Sequence, residues 1–337
     1  MVKPLNRTAI KYLNMKVSDA FNSKPHEGLN GVEIEVEGQR LPYDIPGGLW
    51  NAIEDGSLRG ESKEYVFRKP LSEEEGVKAL EQLNEAFKEA KSIINSSYRT
   101  SVHVHVNCQS LTFKQVYNYI LLYIIFEDIL IDLCGRERDG NLFCLRVTDA
   151  EQLVEALKFL PTVGDIRSFH GDHLRYASIN INSIGKYGSL EFRAYRGTTE
   201  TADISMWVKL LNRLREAAIR YDNPQQIIEN FSKLGYRAFT LDVFGDNPIA
   251  HFVLAARNAE ERLVFGVRYA QEIAYCVKDW NTNRKPNKDE ERIYAAMKQR
   301  VVDDEVRRVR VAPFVAPQWE FMQRDPFAPQ PQEEEEI

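Results

Sequence analysis

Apolar and polar residues alternate strictly along several short stretches of this chain. In Gly31-Val32-Glu33-Ile34-Glu35-Val36-Glu37-Gly38, Val32, Ile34 and Val36 share one side and Glu33, Glu35 and Glu37 the other. Three further stretches repeat the pattern. Val102, Val104 and Val106 oppose His103, His105 and Asn107. Ala177, Ile179 and Ile181 oppose Ser178 and Asn180. Leu190, Phe192 and Ala194 oppose Glu191, Arg193 and Tyr195. Period-two alternation with β-branched residues predicts strands, and Glu64-Tyr65-Val66-Phe67 predicts a shorter one. Gly185 and Gly188 suit a hairpin loop between the last two.

Helical spacing appears between the strands. Ser72 and Glu75 form a capping box for a helix running to about Asn95. Thr112 and Gln115 cap a second, running to about Leu133, whose apolar residues surround much of its girth and so predict burial. Further helices fit Ala150–Phe159 and about Ala202 to Tyr221. Residues 222–300 read as mostly helical, with a β-like stretch near Phe239–Phe244. Together these elements predict an α+β fold, an antiparallel sheet with helices packed on its apolar face and its polar face left for chemistry. Residues 1–27 read as an N-terminal extension, 28–221 as the catalytic domain and 222–310 as a mainly helical extension. Residues 311–337, rich in Pro and Gln and ending in Glu333-Glu334-Glu335-Glu336-Ile337, read as a flexible tail.

Composition narrows the function classes. A net charge of −6 gives no electrostatic case for nucleic-acid binding. The most apolar run, Tyr119 to Leu133, is interrupted by Glu127, Asp128 and Asp132 and is too short to span a bilayer. Cys108, Cys134, Cys144 and Cys276 show no Cys-x-x-Cys spacing, and the first thirty residues lack a signal-type apolar core. Reduced thiols in a cytoplasmic protein are the simplest reading.

The polar face is unusual in its residue types. A solvated face carries mostly Lys, Thr, Ser and Gln; this one carries Glu, His, Asn and Arg, which suit metal and phosphate. Carboxylates bind Mg²⁺ through oxygen, and histidine adds a nitrogen that Mn²⁺ accepts more readily. There is no Gly-x-x-x-x-Gly-Lys-Ser/Thr loop, so a bound nucleotide needs metal-bridged carboxylates to hold its phosphates. Several residues carry two readings. His103 and His105 are either metal ligands or a hydrogen-bonded sheet pair. Glu37 is a ligand or a strand-end charge, and Cys144 a nucleophile or a buried thiol. Arg138 either closes over a substrate from its loop or pairs with Glu137. His170 and His173, beside Gly171 and Asp172, could form a second metal site.

Five motifs in order resemble one family. They are Glu33-x-Glu35, Asp55-Gly56-Ser57 leading to Glu64, His103-Val104-His105-Val106, Arg138-x-x-Asn141-x-Phe143-Cys144, and Gly188-Ser189-Leu190-Glu191-Phe192-Arg193 with Arg196-Gly197-Thr198 beyond. Their order and spacing are similar to the amidoligases, ATP-dependent carboxylate–amine ligases with the glutamine synthetase and glutamate–cysteine ligase fold. The resemblance covers about residues 28–220. It implies a glutamine synthetase-like catalytic sheet in which Glu33, Glu35, Glu64 and Glu191, with His103 and His105, hold Mg²⁺ around the ATP phosphates. It places Arg193, Asn180 and Arg196 on the nucleotide, and Arg193, Glu191 and Arg138 in catalysis. The partners implied are a small-molecule or peptide carboxylate and an amine. Where the family has a small residue before proline, this chain has Lys69 before Pro70. Two other functions use the same residues: a metal-dependent hydrolase, and a binding protein that keeps the fold without catalysis.

Overall fold

The structure is a computed structural model and describes residues 11–95, 97–163 and 176–274. The chain enters through helix α1 (Val17–Phe21) and strand β1 (Asn30–Gln39). β2 (Trp50–Ile53), β3 (Ser62–Phe67), α2 (Glu73–Glu89), β4 (Ile93–Asn95), β5 (Ser101–Asn107) and α3 (Phe113–Cys134) follow. After α4 (Glu151–Val163) come β6 (Ile179–Asn180), α5 (Ser183–Tyr187), β7 (Ser189–Arg196) and α6 (Thr201–Arg220). α7 (Pro224–Phe244), α8 (Pro248–Ala255) and α9 (Ala259–Ala274) close the described chain. The strands form a sheet in the order β2-β3-β1-β5-β7-β6, with β4 added against the end of β1. Every strand pair is antiparallel, so the molecule is α+β, as the alternation predicts.

The apolar face is covered as that pattern requires. Val32, Ile34, Val36, Val102, Val104 and Val106 are all at most 2% exposed. α3 lies against β7, where Tyr119 and Tyr123 meet the ring of Phe192 at 5.3 and 5.0 Å. α2 covers the other half of the sheet. Trp50 Nε1 donates to the Ala79 carbonyl at 2.8 Å, and Phe87 packs edge-on to Tyr65. Both expected capping boxes form, Ser72 with Glu75 and Thr112 with Gln115. α9 then packs on the outer side of α3. A Cβ at Gly266 would come within 2.2 Å of the Ile125 carbonyl oxygen, so only glycine permits that approach. Tyr12, Leu13 and Val17, ahead of β1, are also buried in the core. Among the described residues no helix is long and apolar enough to cross a membrane.

Four details differ from the sequence reading. Residues 239–244 are helical: Phe239, Val243 and Phe244 are buried at helical spacing on α7. A short apolar run serves helix and strand alike, and here α3 supplies the packing partner, Phe126. The linker before β7 is the helical turn α5, not a bare loop; Gly188 closes it in the left-handed region, its N–H on the Ile184 carbonyl. Two strands form that the alternation does not predict: β2, and β4 in the stretch expected to end the first helix. Finally, Tyr195 does not face the polar side. The register of β5 and β7 shifts between Val102–Tyr195 and Val104–Phe192, so His103 opposes two residues, Arg193 and Ala194. This bulge returns Tyr195 to the helical side, where it is fully buried and stacks on Trp207 of α6 at 5.3 Å.

Candidate metal and phosphate site

Strand register assembles the polar face. Glu35 pairs with Glu64, Glu33 with His103, and His105 with Glu191, which in turn pairs with Asn180. Side chains directly opposed across antiparallel strands lie within about 5 Å at Cβ. The residues scattered from Glu33 to Glu191 therefore converge. Two overlapping sets have ligand atoms within 4.8 Å of one another: Glu33, His105 and Glu191, and Glu33, Glu64 and His103. Glu35 completes the row through Ser101, whose hydroxyl donates to Glu35 Oε2 at 2.5 Å and lies 2.7 Å from His103 Nε2.

The cluster is desolvated. Glu35, His103 and Glu191 are all buried. Burial pushes Glu33 up, but the neighbouring His103 and His105 hold it well below the carboxylate range. Burial likewise works against Glu191, yet Arg193, then His105 and His103, bring it down to about 2. Glu64 goes the other way. Burial, then repulsion from Glu33, Glu35 and Asp55, push it up to about 8. Burial opposes the charged form of His105, but Glu33 and then Glu191 outweigh it and raise its pKa.

The donor set fits a divalent cation. Carboxylate oxygens predominate, imidazole nitrogens supplement them, and no thiolate takes part. His105 Nε2 is buried and lies 3.1 Å from Glu33 Oε1, yet off any hydrogen-bond axis. A bound cation would give this buried nitrogen of His105 the partner it lacks. Its Nδ1 meets the Ser189 hydroxyl at 3.1 Å, which fixes the ring.

The other expected site residues divide. Arg193 joins the cluster: its Nη1 bonds Glu191 Oε1 and approaches His103 Nδ1 at 3.4 Å. Asn180 is also there, but its amide donates to Glu191 Oε2 at 2.7 Å, beside the Ser183 hydroxyl at 2.9 Å. Asn180 thereby holds the Glu191 carboxylate in place. Arg196 reaches away, to the Leu133 carbonyl at the end of α3 and to Asp203 on α6. Arg138, expected on a loop over a substrate or paired with Glu137, is tied to backbone instead. It is 1% exposed beneath β7, donating from Nε to the Ala194 carbonyl at 3.2 Å and from Nη2 to that of Arg193 at 2.9 Å. Glu37 accepts from the Arg59 amide at 3.0 Å and fastens a loop. Cys144 is buried, and burial raises its pKa, which suits a structural thiol. Cys276, His170 and His173 and residues 311–337 lie outside the described residues.

A cavity of about 550 Å³ opens beside Glu33 and His105. Phe21, Leu29, Val66 and Ile184 give it apolar walls, and Lys24, Arg68, Lys69 and Lys186 bring cations to it. The sequence reading missed it, because its lining comes from α1, the end of β3 and α5, which only the fold brings together. Ser101 and Ser189 were legible in principle, since each opens a strand at the same parity as the histidine or glutamate beyond it.

Residues 66–215 match the model of a family described as putative amidoligase enzyme. The match runs from the end of β3 into α6. It includes His103, His105, Arg138, Asn180, Glu191, Arg193 and Arg196, and leaves Glu33, Glu35 and Glu64 outside. No curated protein matches the chain.

Proposed function

We propose that this amidoligase-like chain is an ATP-dependent carboxylate–amine ligase, with a glutamine synthetase-like sheet as its catalytic surface. The observation that carries this reading is the register of β3, β1, β5 and β7. It gathers Glu33, His105 and Glu191, and Glu33, Glu64 and His103, into two overlapping sets with the Arg193 guanidinium beside them. Glu33, Glu64, Glu191 and the two histidines would hold Mg²⁺ or Mn²⁺. Bound there, the cation supplies charge neutralisation for the β- and γ-phosphates. The cavity has the size of a small-molecule site, and its lysines and arginine suit a polyphosphate while its apolar walls suit a base.

In this reading the substrate carboxylate attacks the γ-phosphorus, ADP departs and an acyl phosphate forms. Arg193 stabilises the charge that spreads over the transferring group. The acyl phosphate then meets the amine, the amide forms and phosphate leaves. Desolvation strengthens each of these electrostatic contacts relative to water. Calorimetry tests the first requirement. ATP is expected to bind in Mg²⁺ or Mn²⁺ and to lose most of its affinity in excess chelator. Equal binding in chelator would contradict the role given to the carboxylates.

A further inference from the structure

We propose that Arg138 is a positioning residue: it clamps the bulge in β7 and so sets the aim of Arg193. The inference rests on the ligase reading for its kinetic arm only. In a regular strand successive carbonyls point to opposite edges, so one side chain cannot bond two in a row. Arg138 does so, with Nε on the Ala194 carbonyl and Nη2 on the Arg193 carbonyl. That pairing is available only because the extra residue opposite His103 turns both carbonyls the same way. The planar fork of a guanidinium matches two acceptors at fixed separation; an ammonium does not.

The rest of the bulge is fastened with equal care. The Arg193 amide donates to the Ser178 carbonyl at 2.8 Å. Beyond the bulge, Tyr195 is pinned against Trp207. Arg138 is itself held by its place on a short 3₁₀ turn, Arg136–Arg138, with its amide on the Gly135 carbonyl. Between these anchors Arg193 has little freedom, and its guanidinium meets Glu191 and His103. A guanidinium aimed within hydrogen-bond reach of the cluster is useful only if it holds still, because electrostatic stabilisation depends on donors placed in advance. Arg138 does not touch the cluster; its effect passes through the backbone of β7.

The test uses the full chain with Arg138→Lys, Arg138→Gln, Arg193→Lys and the double variant Arg138→Lys/Arg193→Lys. Arg138→Gln serves because it avoids burying a mismatched charge. Crystal structures of the folded Arg138 variants are expected to show the β5–β7 register relaxed and the Arg193 guanidinium moved off Glu191 and His103. In ADP-release assays, Arg138→Lys is expected to lower kcat by about tenfold or more while KM for ATP changes by less than about threefold. The double variant should be no slower than Arg193→Lys alone, since one residue acts through the other. Arg193 unmoved in the variant structures would overturn the proposal, as would losses that multiply in the double variant, or failure of both Arg138 variants to fold. If the wild type has no ATP-dependent turnover, the ligase reading fails, and the crystal structures still decide the role of Arg138.

Discussion

Removing the Glu64 carboxylate as Glu64→Gln should take away one of the protons that divalent-cation binding displaces. Burial, with Glu33, Glu35 and Asp55 nearby, holds Glu64 protonated up to about pH 8, against 4.5 for the ordinary side chain. A cation can use that carboxylate only after displacing its proton. At pH 7 a group with this value is roughly nine-tenths protonated, so binding should release close to one proton and be about tenfold weaker than its limit. Below pH 8 the affinity should fall by about tenfold per pH unit; above pH 8 it should level off. His105, raised by Glu33 and Glu191, should add a second released proton as the pH drops through its own value. Titration calorimetry with Mn²⁺ alone, in two buffers of different ionisation enthalpy, counts the protons directly. Glu64→Gln should bind more weakly and lose the first of the two. Cation binding without proton release at pH 7, or a variant with the wild-type pH slope, would refute the reasoning.

Other expectations follow from the same face assignment and cavity. Ile34 is fully buried between two cluster residues, so Ile34→Ala should cost about 2–5 kcal/mol through a cavity, read by denaturant melting. Glu35→Gln should leave stability nearly unchanged or higher while ADP release is lost; the opposite ranking would reverse the faces. Arg193→Lys should keep near-normal Mg²⁺–ATP affinity with turnover lower by on the order of a hundredfold, since the charge stays and the fork is lost. Lys69→Glu, in the cavity lining, should weaken ATP binding in calorimetry without lowering the melting temperature. Without metal, the folded value of Glu64 lies above its unfolded one, so its contribution to stability is lost as pH rises from about 4.5 through about 8. Added Mn²⁺ should therefore raise the melting temperature more at pH 8 than at pH 6.

Much of the site could be read from the chain because its chemistry lies on strands. Alternation assigns Glu33, His103, His105 and Glu191 to one face without any knowledge of which strand lies beside which. Register was not legible. That Glu33 meets His103, and Glu191 meets His105, follows from pairing over long sequence separations, which local pattern does not encode. The bulge was hidden for the same reason. Strict alternation puts Tyr195 with Arg193, and only the shifted β5–β7 pairing, fixed by Trp207 and Arg138, sends it to the core. Arg138 shows how a motif can be found while its work is misread. Arginine in a loop suggests a mobile side chain, whereas two backbone carbonyls hold this one out of solvent. The cavity, with Lys24, Lys69 and Lys186 drawn from three separate elements, has no local signature at all.

An acyl phosphate separates the ligase from a metal-dependent hydrolase working with the same glutamates and histidines. The protein is incubated with ATP, Mg²⁺, hydroxylamine and pooled small-molecule carboxylates. Hydroxylamine intercepts an acyl phosphate as a stable hydroxamate, whatever the natural amine. A hydroxamate that forms in step with ADP, and that disappears in Glu191→Gln, is the expected result. Cleavage of a substrate without ATP, with no hydroxamate at any carboxylate tried, would contradict it.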